Sequence, residues 1–248
     1  MLQNFESLVL IWLGIGFITF ITLLKIPAPY GKFSKTNWGP MIPSKLGWIV
    51  MEIISPLALL YFFLNGNIEK TPTNITFISL WTLHYFNRSV IYPLRQNNPA
   101  QMPLIIAVLA FLFNVMNGYI NGTYFGSIQE YSAEYMSNWN FIVGVCLFII
   151  GAYINIKSDN ILLSLRSKSG EYKIPEGFMF RYVSFPNYFG EILEWMAFAI
   201  MTWSLAGLSF MIWTMANLVP RAIKGHQWYH SKFESYPKNR KAIFPFII

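Results

Sequence analysis

Ionisable side chains interrupt stretches of the sequence that are otherwise apolar. Glu52 follows four apolar residues that begin at Trp48, and His84 and Arg88 stand four residues apart, which puts them on one face of a helix. An ionisable group in such a place is costly and is usually retained because it faces a cavity or a partner. Glu52 is therefore a candidate catalytic residue, with a structural carboxyl near a helix end as the alternative. Arg88 taken by itself fits an anchor at a membrane surface better, since long basic side chains reach the headgroups from a helix end.

Two pairs of amide and carboxyl side chains show the same helical spacing further along the chain. Asn155 and Asp159 are one turn apart, and so are Asn187 and Glu191. Basic residues lie near them in the sequence, and the planar group of arginine pairs with two phosphate oxygens. We expect these groups to bind a polyanion; the alternative is that the basic residues set membrane orientation and contact anionic lipid headgroups. The basic candidates are Arg166, Lys173, Arg181 and Arg221.

No standard nucleotide motif accompanies these groups. The sequence has no G-x-G-x-x-G, no Walker Gly-Lys-Ser/Thr and no C-x-x-C. A nucleotide, if one binds, is therefore expected to bind to the helices themselves, and no metal site is expected.

Composition indicates what surrounds the polar groups. The 248 residues are 54% hydrophobic and 12% charged, about half the charged share of an ordinary soluble domain, and the apolar residues fall into long blocks. Blocks of that length are typical of transmembrane helices. The net charge of +7 does not indicate nucleic-acid binding, because the basic residues lie between the apolar blocks. A single cysteine, Cys146, excludes a disulfide-stabilised secreted domain.

The apolar blocks predict an all-α membrane protein with seven transmembrane helices. Five blocks have clear limits, at about 8–24, 48–64, 75–92, 102–120 and 141–156. The last apolar stretch, 189–219, is too long for one span and short for two. Folding it back near 204–207 leaves only Lys70 among the basic residues on the outside. We therefore expect two helices there, with the amino terminus outside and the carboxyl terminus in the cytoplasm.

Several motifs resemble those of the steroid 5α-reductase family, the 3-oxo-5-alpha-steroid 4-dehydrogenases. They occur in the family's order from about residue 30 onward. The matching segments are Tyr30-Gly31-Lys32, His84-Tyr85-Phe86-Asn87-Arg88, Ile154-Asn155-Ile156-Lys157-Ser158-Asp159, Tyr172-Lys173-Ile174-Pro175, residues 187–195, Arg221-Ala222 and residues 228–246.

The resemblance implies a bacterial, NADPH-dependent membrane reductase that saturates the 4,5 double bond of a 3-oxo-Δ4-steroid by hydride transfer. Glu52 and Tyr85 match the positions that hold the substrate ketone in that family. The implied protein is one seven-helix domain, 1–248, whose cofactor-binding half is about 140–248. The cofactor contacts that the resemblance implies are Arg88, Asn155, Asp159, Arg166, Tyr172, Lys173, Asn187, Arg221 and Tyr229. Glu191 is added to these candidates because of its helical spacing from Asn187.

Three departures from the family pattern concern the substrate more than the reaction type. Met51 stands where the family has Gln, Lys173 where it has Arg, and the family's His-rich run is reduced to Lys224-Gly225-His226. A related enoyl-CoA or polyprenol reductase is the alternative within enzymes, and a seven-helix receptor or transporter is the alternative outside them. Internal repeats, which would favour a transporter, are not found.

The expected partners follow from this assignment. They are a steroid or another apolar enone and the lipid bilayer, without nucleic acid, and the protein is expected to act as a monomer. We expect it in the bacterial inner membrane, or in the endoplasmic reticulum if the source is eukaryotic.

Overall fold

The protein is built almost entirely from helices. The computed structural model describes residues 2–96, 100–165 and 172–248. Within these residues, seven helices have fifteen or more residues: α1 (Leu2–Lys25), α2 (Ser44–Leu64), α3 (Pro72–Phe86), α4 (Leu104–Thr123), α5 (Trp139–Leu165), α6 (Pro186–Thr202) and α7 (Leu205–Lys232). The predicted all-α class is confirmed.

Two of these helices continue through π-helical turns. The π-helix Asn87–Ile91 follows α3 and leads into the short helical segment Tyr92–Leu94, and the π-helix Tyr124–Ile128 follows α4. In the described part of the chain, four 3-10 segments lie between the longer helices: Gly31–Phe33, Thr36–Trp38, Ala133–Ser137 and Phe178–Arg181.

Four helices in the described part of the chain are long and apolar enough to cross a membrane. They cover Leu2–Lys25, Ser44–Leu64, Leu104–Ile128 and Trp139–Leu165. Helix α1 exposes large apolar side chains along its length, an arrangement suited to lipid rather than to water. These helices support the expectation of a membrane protein.

The last apolar stretch is broken where its charge pattern predicted a reversal. Helix α6 ends at Thr202 and α7 begins at Leu205. Between them Trp203 adopts the left-handed conformation (φ 46°, ψ 45°). The hydroxyl of Ser204 then caps α7 by accepting a hydrogen bond from the Gly207 N–H at 2.9 Å. Helix α7 continues to Lys232, well beyond the end of the apolar stretch.

The chain divides into two compact units. Unit 1 comprises the residues up to Val9 and Ala28–Ile142, and unit 2 comprises Leu10–Pro27 and Val143–Ile248.

In unit 1, a short antiparallel ladder joins the starts of α2 and α4. Strand β1 (Met41–Pro43) pairs with strand β2 (Gln101–Pro103), and each strand leads directly into its helix. Backbone hydrogen bonds extend the pairing to the first residue of each helix, from Ser44 to the carbonyl of residue 100 and from Leu104 to the carbonyl of residue 40. Contacts of Asn114 with Met51 and of Gly122 with Leu59, in the same order along both helices, show that α2 and α4 run parallel.

Glycines let α2 and α4 approach closely. A Cβ atom on Gly118 would stand 2.6 Å from the Cβ of Ala58, and one on Gly122 would stand 2.6 Å from the carbonyl oxygen of Leu59. Small residues spaced by four are typical of helix contacts in membranes. These contacts fix the position of α4 along the axis of α2.

In unit 2, glycines play the same part between α5 and α6. A Cβ atom on Gly190 would lie 2.5 Å from the backbone nitrogen of Asn155, and one on Gly151 would lie 2.7 Å from the backbone nitrogen of Glu194. This close approach places the polar end of α5 against the first turn of α6, which begins at Pro186.

Candidate active site

Glu52 lies on α2, half-buried, at a break in the helix hydrogen-bonding pattern. Pro56 is inside the helix one turn later. Proline has no N–H to donate to the carbonyl four residues earlier, which is the carbonyl of Glu52. The candidate acid therefore lies at a locally irregular point of an otherwise regular helix.

The Tyr85 hydroxyl is tied to the helix that carries Glu52. Its buried ring stacks on Trp81, with 5.7 Å between ring centroids. The hydroxyl donates to Oδ1 of Asn114 on α4 at 3.3 Å, and Nδ2 of Asn114 donates to the Met51 carbonyl at 2.6 Å. Asn114 thus joins the hydroxyl to the backbone of the residue that precedes Glu52.

Asn114 was not among the predicted site residues. It is buried in α4 together with Asn117 and Asn121. The signal in the sequence is an uncharged amide within an apolar block, and the prediction considered such amides only where a carboxyl stood one helical turn away.

Arg88 lies in unit 1, in the π-helix that follows α3. Its buried guanidinium stands over the rings of Trp48 and Tyr92, with centroids 5.0 and 5.3 Å away. The Trp48 indole N–H donates to the Arg88 carbonyl at 3.1 Å. A surface anchor extends its side chain into polar surroundings, whereas the guanidinium of Arg88 is enclosed between aromatic rings. His84 is also buried, with its ring edge against Tyr85.

In unit 2, the predicted polar groups of α5 and α6 form one buried network. Asn155 donates from Nδ2 to the Asn187 carbonyl at 2.9 Å, and Asn187 donates from Nδ2 to Oδ1 of Asp159 at 3.0 Å. Within the described residues, Oδ1 of Asn187 and the hydroxyl of Ser158 are buried without a hydrogen-bond partner. A buried polar atom left in this way costs free energy unless a ligand or water satisfies it. Glu191 lies half-buried one turn further along α6.

Aromatic rings flank the basic residue predicted on α7. Nε of Arg221 donates to the Tyr188 hydroxyl at 3.0 Å, and the Tyr188 ring stacks on Phe185 at 5.2 Å. Tyr229 is buried two turns later, stacked on Tyr236 at 5.1 Å. These groups belong to one apolar cluster of unit 2.

The segment before α6 carries the remaining predicted residues. Tyr172 and Lys173 are both exposed, and the Tyr172 ring packs edge-on against Trp228 at 5.0 Å. Buried Arg240 donates from Nη1 to the Pro175 carbonyl at 3.1 Å and so ties this segment to the tail. The predicted contact Arg166 lies outside the described residues.

A second polar network in unit 2, centred on Ser184, was not predicted. The Tyr236 hydroxyl donates to Oγ of Ser184 at 2.6 Å, and Ser184 donates to the Lys241 carbonyl at 3.1 Å. Nδ1 of His226 also lies 2.6 Å from Oγ of Ser184. Because the only hydroxyl hydrogen of Ser184 goes to a carbonyl, which can only accept, the third bond requires His226 to donate from Nδ1. Tyr236 and Arg240 lie in the matched tail, but nothing in the sequence showed this connection.

The environment of His226 favours its neutral form. The imidazole lies beyond the apolar part of α7, and its pKa is lowered from 6.5 to about 4, mainly by burial. The neighbouring charges of His230, Arg240 and Lys241 contribute to this lowering in the same direction.

A surface cavity of about 400 Å³ lies elsewhere in unit 2, where α6 meets α7. None of the predicted site residues lines it, and it is therefore not part of the candidate site. Its lining residues are Met196, Ala199, Ile200, Trp203, Ser204, Leu205, Leu208 and Met211.

Comparisons with known proteins give one consistent result. The family described as 3-oxo-5-alpha-steroid 4-dehydrogenase matches residues 100–248. The chain is 43% identical over 238 residues to steroid 5-alpha-reductase DET2 of Gossypium hirsutum, covering 92% of each protein. It is 37% identical over 238 residues to 3-oxo-5-alpha-steroid 4-dehydrogenase 1 of Rattus norvegicus, covering 94% of this chain and 91% of the relative. The human protein of the same name is 34% identical over 238 residues, covering 94% of this chain and 92% of the relative.

Proposed function

This chain belongs to the 3-oxo-5-alpha-steroid 4-dehydrogenase family of oxidoreductases, and we propose that it reduces the 4,5 double bond of a 3-oxo-Δ4-steroid with NADPH. The observation that carries the proposal is the match, along more than nine-tenths of the chain, to relatives whose names state this class of reaction. The buried polar groups of the two units also support it, because they could bind a ketone and a nucleotide.

Glu52 and Tyr85 are proposed to hold the ketone. Conjugate reduction of an enone places negative charge on the ketone oxygen, and donors aimed at that oxygen stabilise the transition state. Glu52 in its neutral form and the Tyr85 hydroxyl supply such donors from α2 and α3 of unit 1.

The polar network of α5 and α6 is proposed to bind NADPH. The residues fit this group because Oδ1 of Asn187 and the hydroxyl of Ser158 are buried and unsatisfied by the described residues. Arg221 and Lys173 carry positive charge suited to phosphate. When bound, NADPH supplies the hydride that adds to the β-carbon of the enone. The other proposed contacts in the described part of unit 2 are Asn155, Asp159, Tyr172, Glu191 and Tyr229. Arg88, which lies in unit 1, stays a predicted cofactor contact on the basis of the family motif.

The membrane arrangement remains the one that the charge pattern predicts. All seven helices are proposed to cross the bilayer, with the amino terminus outside and the carboxyl terminus in the cytoplasm, and 1–248 to act as one monomeric domain in an inner or endoplasmic-reticulum membrane. Tags at the carboxyl terminus and in the segment 157–181 should both report the cytoplasmic side. Tags on opposite faces would show that α6 and α7 do not form two spans.

The direct test is substrate-dependent NADPH consumption by the purified protein. The panel contains 4-ene-3-keto steroids, enoyl-CoAs and polyprenals, and the expected product is the steroid ketone with a saturated 4,5 bond. Turnover of enoyl-CoAs or polyprenals without steroid turnover would favour the alternative reductases.

The choice of cofactor has its own test. Arg166→Ala should weaken the binding of NADPH far more than that of NADH if Arg166 contacts the 2′-phosphate. Equal catalytic efficiency of the wild-type protein with NADH would contradict the choice of cofactor.

A further inference from the structure

We propose that Asn114 is a positioning residue that fixes the hydroxyl of Tyr85 relative to the backbone beside Glu52. The inference rests on the proposed function, because it concerns the placement of a donor for the ketone. Its basis is one buried hydrogen-bonded chain that crosses three helices, from Tyr85 on α3 through Asn114 on α4 to Met51 on α2.

The orientation of the Asn114 amide follows from its partners. The Met51 carbonyl can only accept a hydrogen bond, so the nitrogen of the amide must face it, at 2.6 Å. The amide oxygen therefore faces Tyr85, and because that oxygen can only accept, the Tyr85 hydroxyl must be the donor. The donor and the acceptor of both hydrogen bonds are therefore determined by the chemistry of the two partners.

This polarity has a consequence for the proposed chemistry. A tyrosine hydroxyl has one hydrogen, and in this structure it points to Asn114. At 3.3 Å the bond is longer than the usual 2.7–2.8 Å for a hydroxyl donor, so it is weak enough to be exchanged. Rotation about the C–O bond can redirect the hydrogen to a ketone while the stacked ring of Tyr85 stays in place.

Asn114 therefore acts before the ketone is bound. Its oxygen holds the Tyr85 hydroxyl in place beside α2, and the ketone then replaces it as the acceptor of the single hydrogen. A donor that is held in place before reaction contributes to rate. We accordingly expect loss of Asn114 to lower kcat.

Neighbouring asparagines on α4 provide a matched comparison. Asn121 is as deeply buried as Asn114, but its amide nitrogen donates at 3.1 Å to the Asn117 carbonyl, within the same helix. Replacement by leucine keeps the branched shape at either position and removes the polar atoms. Asn121→Leu therefore controls for the loss of a buried amide that does not reach Tyr85.

The test is a double-mutant cycle of Asn114→Leu with Tyr85→Phe, measured as kcat with a 4-ene-3-keto steroid and as the midpoint of thermal unfolding. In the wild-type background, Asn114→Leu should lower kcat about tenfold, the effect of losing one hydrogen bond, with little change in the KM for NADPH. In the Tyr85→Phe background, the same change should alter kcat less than about twofold, because the hydroxyl that it positions is already absent. Asn121→Leu should show no such dependence on Tyr85.

Several results separate the inference from the function on which it rests. Equal losses of kcat in both backgrounds, or a kcat that rises, would overturn the positioning role while leaving the reductase function intact. Asn114→Ala, which leaves more space, should show the same dependence on Tyr85 if Asn114→Leu folds poorly. A folded wild-type protein that turns over no steroid of the panel would overturn the proposed function, and the role of Asn114 with it.

Discussion

The two units hold polar groups in apolar surroundings in different ways. At the candidate ketone site of unit 1, Tyr85 and Asn114 are joined by a single bond of 3.3 Å. At the candidate cofactor site of unit 2, Asn187 takes part in two bonds, of 2.9 Å with Asn155 and 3.0 Å with Asp159. The difference between these two sites matches the ligands that we propose, because a steroid offers one ketone and a dinucleotide offers many polar atoms.

The largest expected effect is on the reaction itself, from changes in unit 1. Glu52→Ala or Tyr85→Phe removes one donor to the ketone oxygen and should lower kcat by about 10²–10³. NADPH binding should stay nearly intact, since the loss falls on the transition state. Glu52→Gln keeps a neutral donor and should retain more activity than Glu52→Ala.

Turnover and thermal unfolding measured on the same preparations distinguish a catalytic role from a structural one. Unchanged turnover per folded molecule in Glu52→Ala and Tyr85→Phe, with altered stability, would assign both side chains to packing and would remove the contrast between the units.

Changes in the unit 2 network should act on cofactor affinity instead. Asn187→Leu keeps the shape of the side chain and removes both the bond to Asp159 and the open acceptor Oδ1. The dissociation constant of NADPH should rise about tenfold, which corresponds to one or two lost hydrogen bonds. Titration of the cofactor without steroid measures this directly. A fall in kcat at saturating NADPH with unchanged affinity would contradict the division of roles.

A third effect separates packing from ligand binding in each unit. Gly190→Ala places a Cβ 2.5 Å from the backbone nitrogen of Asn155, and Gly122→Ala places one 2.6 Å from the Leu59 carbonyl oxygen. Each should lower stability by about 1–3 kcal/mol, the usual result of overpacking, but only Gly190→Ala should also weaken NADPH binding. Gly14→Ala is the control, because no atom lies within 4 Å of its added Cβ. Equal effects of Gly190→Ala and Gly122→Ala on NADPH binding would contradict the assignment of the cofactor to unit 2.

The smallest expected effect is a pH dependence confined to unit 2. The pKa of His226 lies near 4 in the folded protein and near 6.5 otherwise, so the unfolded chain binds a proton more readily between these values. The stability that neutral His226 contributes is therefore complete above about pH 6.5 and is lost as the pH falls toward 4. His226→Gln can still donate to Ser184 and does not titrate, so its unfolding midpoint should fall less steeply with acid. His230→Gln, at the exposed neighbour, should keep most of the wild-type slope.

Much of the helix pattern could be predicted because it depends on local composition. Long apolar blocks of the right length identify helices, and the excess of basic residues identified the break that the structure places at Trp203. The extension of α7 to Lys232 was not predicted, because the apolar stretch from which the helix was inferred ends at residue 219. A helix can leave the apolar layer and continue in polar surroundings, where its backbone hydrogen bonds are equally satisfied.

The candidate site was predictable where helical spacing or a family motif applied. Asn155 and Asp159 share one helix face by spacing alone, and the structure joins both to Asn187. Asn114 and Ser184 were missed because their hydrogen bonds reach other elements, and such contacts depend on close packing that no local pattern reports. The π-helix that contains Arg88 likewise has no signal in the residues that form it.

The ladder of β1 and β2 has a consequence for biosynthesis. It pairs residues that flank the whole of α2 and α3, so it can close only after both helices have been made. Until then the face of α2 around Leu59, which α4 covers through Gly122, has no helical neighbour. Contacts between residues far apart in the sequence, such as those of this ladder, form later than the local contacts of a helix. The assembly of unit 1 therefore depends on the synthesis of α4, and this face of α2 is not covered by α4 until then.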